Sequence, residues 1–224
     1  MVKFENVTKK FGSTKALEDV SFEIEEGDFV FLTGHSGAGK TTLLKLLLRD
    51  LKPDSGKITI DGVDIATLKK KEVPFYRRKL GIVFQDFKLL YDRTVYENVE
   101  LALEVAGDKD KRVEKIKKAL EEVGPLDKAN LFPRQLSGGE LQRAVIARAI
   151  VTNPKLIIAD EPTGNLDPVT SRQIVDLLNK ATDSDTTVIM ATHNENIVNS
   201  LKQHVINLKE GKVSSDKKGG HYIE

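Results

Sequence analysis

Residues 29–48, FVFLTGHSGAGKTTLLKLLL, decide the fold. They open with a short, nearly continuous apolar run, the pattern of a strand buried on both faces. They close with leucines spaced for one face of a helix. Between the two, Gly34 to Thr41 fits the pattern G-x-x-x-x-G-K-[ST]. Glycines let a backbone curl so that several N–H groups aim inward at phosphate oxygens, and the helix that follows adds its positive end. The expected cradle is Gly34, Ser36, Gly37, Ala38, Gly39, Lys40, Thr41 and Thr42. In it Lys40 reaches the β- and γ-phosphates and the Thr41 hydroxyl ligates Mg²⁺. His35 fills an unconstrained position.

Working outward, the strands fall into two kinds. VKFENVT (2–8), SFEIE (21–25) and KITIDG (57–62) alternate apolar with polar, as half-buried antiparallel strands do. LGIVFQ (80–85), KLIIAD (155–160) and TTVIMAT (186–192) repeat the short apolar run of residues 29–33 and predict further parallel core strands. Ligands sit at the carboxyl ends of such strands. From Gln85 to Pro154 the stretches TVYENVELALEVA, DKRVEKIKKALEEVG and GGELQRAVIARAIV all read as helices, the second ending at Gly124. The expected fold class is α/β, a P-loop NTPase core with an antiparallel β layer and an inserted helical subdomain. The core would be residues 1–86 and 154–224, the helical subdomain 87–153. SSDKKGGHYIE (214–224) reads as a loosely held tail.

Composition narrows the classes of function. The chain has 224 residues, 39% of them hydrophobic and 31% charged, enough for a sizeable core. Its 35 basic and 34 acidic residues nearly cancel, so overall charge gives no reason to expect a nucleic-acid partner. The absence of cysteine excludes disulfides and thiolate metal sites. No apolar run is long enough to span a bilayer, and MVKFENVTKKFG is no signal peptide, so a cytoplasmic chain is expected.

LIIADEPTGNLD (156–167) carries the next chemistry. Its apolar start delivers Asp160 and Glu161 to a strand end. There Asp160 can hold Mg²⁺ through its water shell, and Glu161 can orient or deprotonate an attacking water. Asp167 followed by Pro168 predicts an N-cap and the first position of a helix. Gln85 and His193 end two other core strands and are expected at the γ-phosphate end of a nucleotide. A second glycine-bearing helix start, Ser137, Gly138 and Gly139 in LSGGE (136–140), has no phosphate of its own to hold if the first loop holds the nucleotide.

The P-loop, Gln85, LSGGE, LIIADE, NLD and His193, in that order and over essentially the whole chain, resemble the nucleotide-binding subunit of ATP-binding cassette (ABC) transporters. The resemblance accounts for the second helix start. In that family two ATPase subunits pack head to tail, and the signature motif of one closes over the γ-phosphate held by the P-loop of the other. It implies an ATP-dependent homodimer with ATP and Mg²⁺ as cofactors. It also implies that Phe11 stacks on adenine, Gln85 touches Mg²⁺ and water, Asp167 belongs to the D-loop and His193 is the switch histidine. Glu140 stands where the family usually has glutamine.

Within the family, ADEPTGNLD and above all QDFKLLYDRTVYENV (85–99) resemble the branch that works in bacterial cell division with an integral membrane partner. Lipoprotein-release and macrolide-efflux ATPases share DEPTGNLD. The resemblance places the chain peripherally on the inner face of the cell membrane. Phe87, Leu89, Leu90 and Tyr91 are the expected docking residues for the partner. A GTPase would need an N-K-x-D segment, and NKAT (179–182) lacks the aspartate. A DNA-associated ABC ATPase would carry long heptads or a zinc insertion, and neither is present. The basic stretch LKKKEVPFYRRK (68–79) reads as a solvated face.

Overall fold

The computed structural model describes residues 1–124 and 126–222. It divides into two compact units, Met1–Pro74 with Ile189–Glu224, and Phe75–Val188.

The first unit begins with β1 (Val2–Phe11), β2 (Thr14–Ile24), β3 (Phe29–Thr33), α1 (Lys40–Leu47), β4 (Ser55–Ile60) and the short β5 (Val63–Asp64). β1 pairs antiparallel with β2 on one side and β4 on the other, and β5 extends β4, in the order β2-β1-β4-β5. Alternation turns Val2 and Phe4 inward, and a break in register between Phe4 and Val7, at left-handed Asn6, resets the phase so that Val7 is buried as well. The register sets Phe4 opposite Phe22, and their rings stack at 4.5 Å. Every residue of β3 is buried, as its unbroken apolar pattern requires. In α1 the leucines at 43, 44, 46 and 47 are all buried, and Arg49 turns the chain out of the helix at φ 60°. The Arg49 side chain donates to the carbonyls of Ile65, Ala66 and Leu68 at 2.6–3.1 Å, tying the helix end to the loop after β5.

After α2 (Val73–Arg77), the second unit holds β6 (Leu80–Phe84), α3 (Val95–Ala106), α4 (Arg112–Val123), α5 (Gly138–Ile150), β7 (Leu156–Asp160) and α6 (Pro168–Lys180). β6 and β7 run parallel, with Phe84 beside Asp160. Among the described residues from 85 to 154 the regular structure is helical, and α5 packs against α3, α4, α6 and β6. The helix ends are written in the sequence. Thr94 and Glu97 form a reciprocal capping box at the start of α3, a device worth about 1 kcal/mol. Gly107 and Gly124, both left-handed, stop α3 and α4.

β8 (Thr187–Ala191) leads back into the first unit, followed by α7 (Glu195–Leu201), β9 (His204–Lys209) and β10 (Lys212–Lys217). β9 lies parallel to β3, pairing Val30 with His204 and Thr33 with Asn207, and β10 returns antiparallel through a turn at Glu210 and Gly211. The expected loose tail is corrected here. Residues 214–217 belong to β10, and beyond them the N–H of Gly220 bonds to the Gln203 carbonyl and that of Tyr222 to the Asn199 side chain. Buried Asn207 explains the hold: it donates to the Thr33 hydroxyl at 3.0 Å and accepts from Ser214 at 2.5 Å. Residues 223 and 224 of that stretch lie outside the described residues.

Candidate functional site

In the first unit the glycine loop leaves β3 and is fixed by contacts that exclude side chains. A Cβ on Gly34 would stand 2.2 Å from the Leu208 carbonyl oxygen, and one on Gly39 would stand 2.7 Å from both the Ala16 carbonyl oxygen and a Leu17 methyl. Both residues have φ above 100°, and Gly37 is also left-handed, so glycine is needed for conformation as well as space. Ala38 is pinned by its own N–H to His35 O and by its carbonyl to the N–H of Gly211, each at 3.1 Å. The Lys40 ammonium lies along the loop, donating to the carbonyls of Gly34 at 2.5 Å and His35 at 3.1 Å. Ser36, Gly37 and Thr41 are exposed and Thr42 half-buried.

The N-termini of this chain's helices differ in a way that bears on anions. α3, α5 and α6 are capped by the side chains of Thr94, Ser137 and Asp167, whereas the cap of α1 is Gly39, which has none to offer. Gly39 therefore gives the positive end of α1 no capping side chain where the loop meets the helix. In the same unit His193 is exposed just past β8, where the N–H of Thr192 bonds to the Leu32 carbonyl and Asn194 caps α7. Phe11 ends β1 with half its surface exposed and the Lys9 ammonium 5.7 Å from its ring centre.

In the second unit the β6/β7 register makes Gln85 and Glu161 leave neighbouring strands at the same end. Glu161 takes φ 48°, an unfavourable conformation for a residue with a side chain, and its carbonyl accepts from the N–H of Gly164 at 3.1 Å. That turn brings Gly164 against Gln85: a Cβ there would lie 2.8 Å from the Gln85 Nε2. Asp167 caps α6, accepting from the N–H groups of Val169 and Thr170 at 3.0 Å and from the Thr170 hydroxyl at 2.5 Å, bonds that hold its carboxyl below the usual range. The start of α5 rests on the same turn. A Cβ on Gly138 would meet Leu166 at 3.3 Å, and one on Gly139 would meet Thr170 at 2.7 Å.

Ser137 and Glu140 form a second capping box. One oxygen of the Glu140 carboxylate accepts from both the N–H and the hydroxyl of Ser137 at 2.8 Å, and Lys128 stands 3.4 Å from the other. The Ser137 bonds, then Lys128, hold the Glu140 carboxyl below its ordinary value.

The segment after Gln85 shows residues that no local pattern announced. Phe87 and Lys88 are both left-handed, and the Arg148 guanidinium, from the last turn of α5, donates to their carbonyls at 2.9 and 2.5 Å. Burial lowers the pKa of that guanidinium. Asn98, fully buried in α3, accepts from the N–H of Leu90 at 2.7 Å and donates to the carbonyls of Leu90, Arg93 and Thr94 at 2.9–3.2 Å. Of the expected docking residues, Leu90 and Tyr91 are 41% and 44% exposed and Phe87 half-buried. Leu89 is only 5% exposed and is core, a correction to its expected place on the surface. Beside the segment a groove of about 310 Å³ is lined by apolar Ile82, Phe84 and Val105 and by Arg78, Lys88 and Arg148. The described residues contain no group of three or more His, Cys, Asp or Glu able to hold a metal, and no helix long and apolar enough to cross a membrane.

A glycine cradle after a buried strand, a carboxylate pair at the end of another and a capped SGG helix start together define an ATP-binding cassette. The family model of the ABC transporter matches residues 17–164, and the chain belongs to that family. Nearly its whole length is shared with proteins named cell division ATP-binding protein FtsE. The identity is 49% over 224 residues with that of Bacillus subtilis (99% of this chain, 98% of the other). With that of Escherichia coli K12 it is 48% over 213 residues (94% and 96%). Among solved structures, the dimeric post-hydrolysis state of the cassette MJ0796 bound to ADP and Pi has a TM-score of 0.87 at 38% identity, covering 99% of this chain and all of that one. CbiO1 of Clostridium perfringens, part of the cbiONQ ABC transporter complex, has a TM-score of 0.89 at 31% identity, covering 97% and 88%.

Proposed function

We propose that the chain is the ATP-hydrolysing subunit of an ABC-type membrane complex that works in bacterial cell division with an FtsX-like integral membrane partner. The observation that carries the reading is the Gly34–Gly39 cradle ahead of a helix whose cap supplies no side chain, in a chain that matches FtsE proteins from end to end. The cradle fits a phosphate chain: Gly34 and Gly39 have no room for a Cβ and Gly37 is left-handed, the backbone with which a loop can turn N–H groups toward an anion. Lys40 would leave the Gly34 and His35 carbonyls to bind the β- and γ-phosphates. Thr41, Asp160 and Gln85 offer hard oxygen donors that suit Mg²⁺ with several waters kept, and the ion would neutralise charge on the transferred phosphoryl group.

Glu161 would place and accept a proton from the attacking water, working mostly by position because an ordinary carboxylate is a weak base. Gln85 would orient the same water, His193 would contact the γ-phosphate, and Phe11 would stack on adenine with little preference between bases. Two copies would pair head to tail, each offering Ser137, Gly138, Gly139 and Asp167 to the other's nucleotide. Residues 87–153 would act as the signature-bearing helical subdomain against a core of 1–86 and 154–224. The partner's cytoplasmic segment would dock at Phe87, Leu90, Tyr91 and the adjoining groove, holding the chain on the inner face of the cell membrane.

The test is sedimentation of the Glu161→Gln chain. It should bind ATP, hydrolyse it very slowly and shift from monomer to dimer with ATP, and Ser137→Arg should abolish the shift. A Glu161→Gln chain that turns over ATP at the parent rate overturns the assignment.

A further inference from the structure

Glu140 puts a full negative charge where a signature motif would meet phosphate, and the hydrogen bonds around it are polarised the wrong way for that meeting. A serine hydroxyl has one proton to give. In this chain Ser137 gives it to Glu140 at 2.8 Å, and its N–H goes to the same oxygen at the same distance. A carboxylate can only accept, and bonds to it are stronger than neutral ones, so the hydroxyl proton is committed to Glu140 while a lone pair takes the Glu140 N–H at 3.4 Å, leaving no proton to offer outward. A phosphate oxygen approaching Ser137 needs a donor and would meet an acceptor backed by an anion. Lys128, 3.4 Å from the second carboxylate oxygen, offsets part of that charge.

We propose that Glu140 is a positioning residue that restrains ATP-driven pairing of two copies, with Lys128 setting the strength of the restraint. The proposal rests on the head-to-tail reading of the signature motif. Closing over the γ-phosphate requires the Ser137 hydroxyl to leave Glu140 and turn outward. Pairing then depends on how firmly the capping box is held, and glutamine at position 140 would keep the cap's shape with a weaker bond and no charge. Neutralising Glu140 should tighten pairing, whereas removing Lys128 should loosen it. A residue acting only as a helix cap would move both variants toward weaker folding and neither toward tighter pairing.

The experiment measures the dimer dissociation constant by analytical ultracentrifugation, all variants in the Glu161→Gln background, with ATP and with ADP, and with a thermal melt on each. Glu140→Gln should lower the constant about tenfold with ATP, the size expected for losing one charge-assisted bond, and leave it unchanged with ADP. Lys128→Ala should raise it about threefold with ATP. Unchanged or weaker pairing by Glu140→Gln, in a chain whose parent does pair, overturns the restraint and leaves the composite site standing. If neither parent nor Glu140→Gln pairs at any concentration, both the restraint and the head-to-tail reading fall. Pairing that appears only with Glu140→Gln supports both.

Discussion

Replacing Gly164 by alanine should slow ATP turnover about 10- to 100-fold while leaving the fold about as stable as before. Gly164 is exposed and outside the left-handed region, so alanine suits its backbone. Less freedom in the unfolded chain would favour the native state by about 0.4–1 kcal/mol. Against this, the three nearest atoms the new methyl would meet all belong to Gln85: Nε2 at 2.8 Å, Cδ at 3.2 Å and Cγ at 3.5 Å. Relaxed contacts need about 3.5–4.0 Å, so the amide must retreat by about 0.5–1 Å. A flexible side chain makes that move for about 0.5–1.5 kcal/mol, close to the backbone gain, which is why stability should barely change. Function has no such cancellation, because displacing a positioning group by about 1 Å costs on the order of a hundredfold in rate. Phosphate release with Mg²⁺ and ATP, urea unfolding and the same substitution in a Gln85→Ala chain decide it. If Gly164→Ala slows the Gln85→Ala chain as much as it slows the parent, the effect does not pass through Gln85 and the reasoning is refuted.

Lys40→Ala should abolish binding of a fluorescent ATP analogue while the melting temperature holds; undiminished binding would remove the loop from the site. Leu90→Glu with Tyr91→Glu should end co-purification with the membrane partner and spare basal ATPase and the fold, whereas Leu89→Glu should unfold the second unit, because only Leu89 of the three is buried. Gln142 is 1% exposed, and its amide oxygen and nitrogen find no hydrogen-bond partner among the described residues. Gln142→Met should therefore raise stability by about 1–2 kcal/mol in urea unfolding, and a loss would show that the amide is needed where it is.

Much of this was legible in the chain because the decisive signals are local. The Gly34–Thr41 loop, the Asp167–Pro168 helix start and the stop at Gly124 each follow from what one or two residues can do with their backbone. β9 and β10 escaped the reading although EG at 210–211 is a turn signal between them. Their hold is the distant partner β3, together with Asn207 reaching across 174 residues to Thr33. Leu89 was misplaced because a run of apolar side chains after Gln85 does not say which of them turns inward. The contact of Gly164 with Gln85, and that of Arg148 with carbonyls 60 and 61 residues away, join positions that no spacing rule connects.

The hold on residues 87–94 has a mechanical consequence. Arg148 grips the carbonyls of Phe87 and Lys88 from one helix, and Asn98 grips Leu90, Arg93 and Thr94 from another. A segment gripped at two points on separate helices behaves as a lever with fixed arms. If a partner docks at Leu90 and Tyr91 as proposed, force applied there would pass into α3 and α5 through these bonds. Such a lever would keep its two anchors when side chains change at its exposed tip, but not when its length changes. One residue inserted between Lys88 and Leu90 would leave Arg148 and Asn98 unable to hold their carbonyls together, and under the proposed docking would uncouple the partner from the nucleotide in a chain that still folds and still binds ATP.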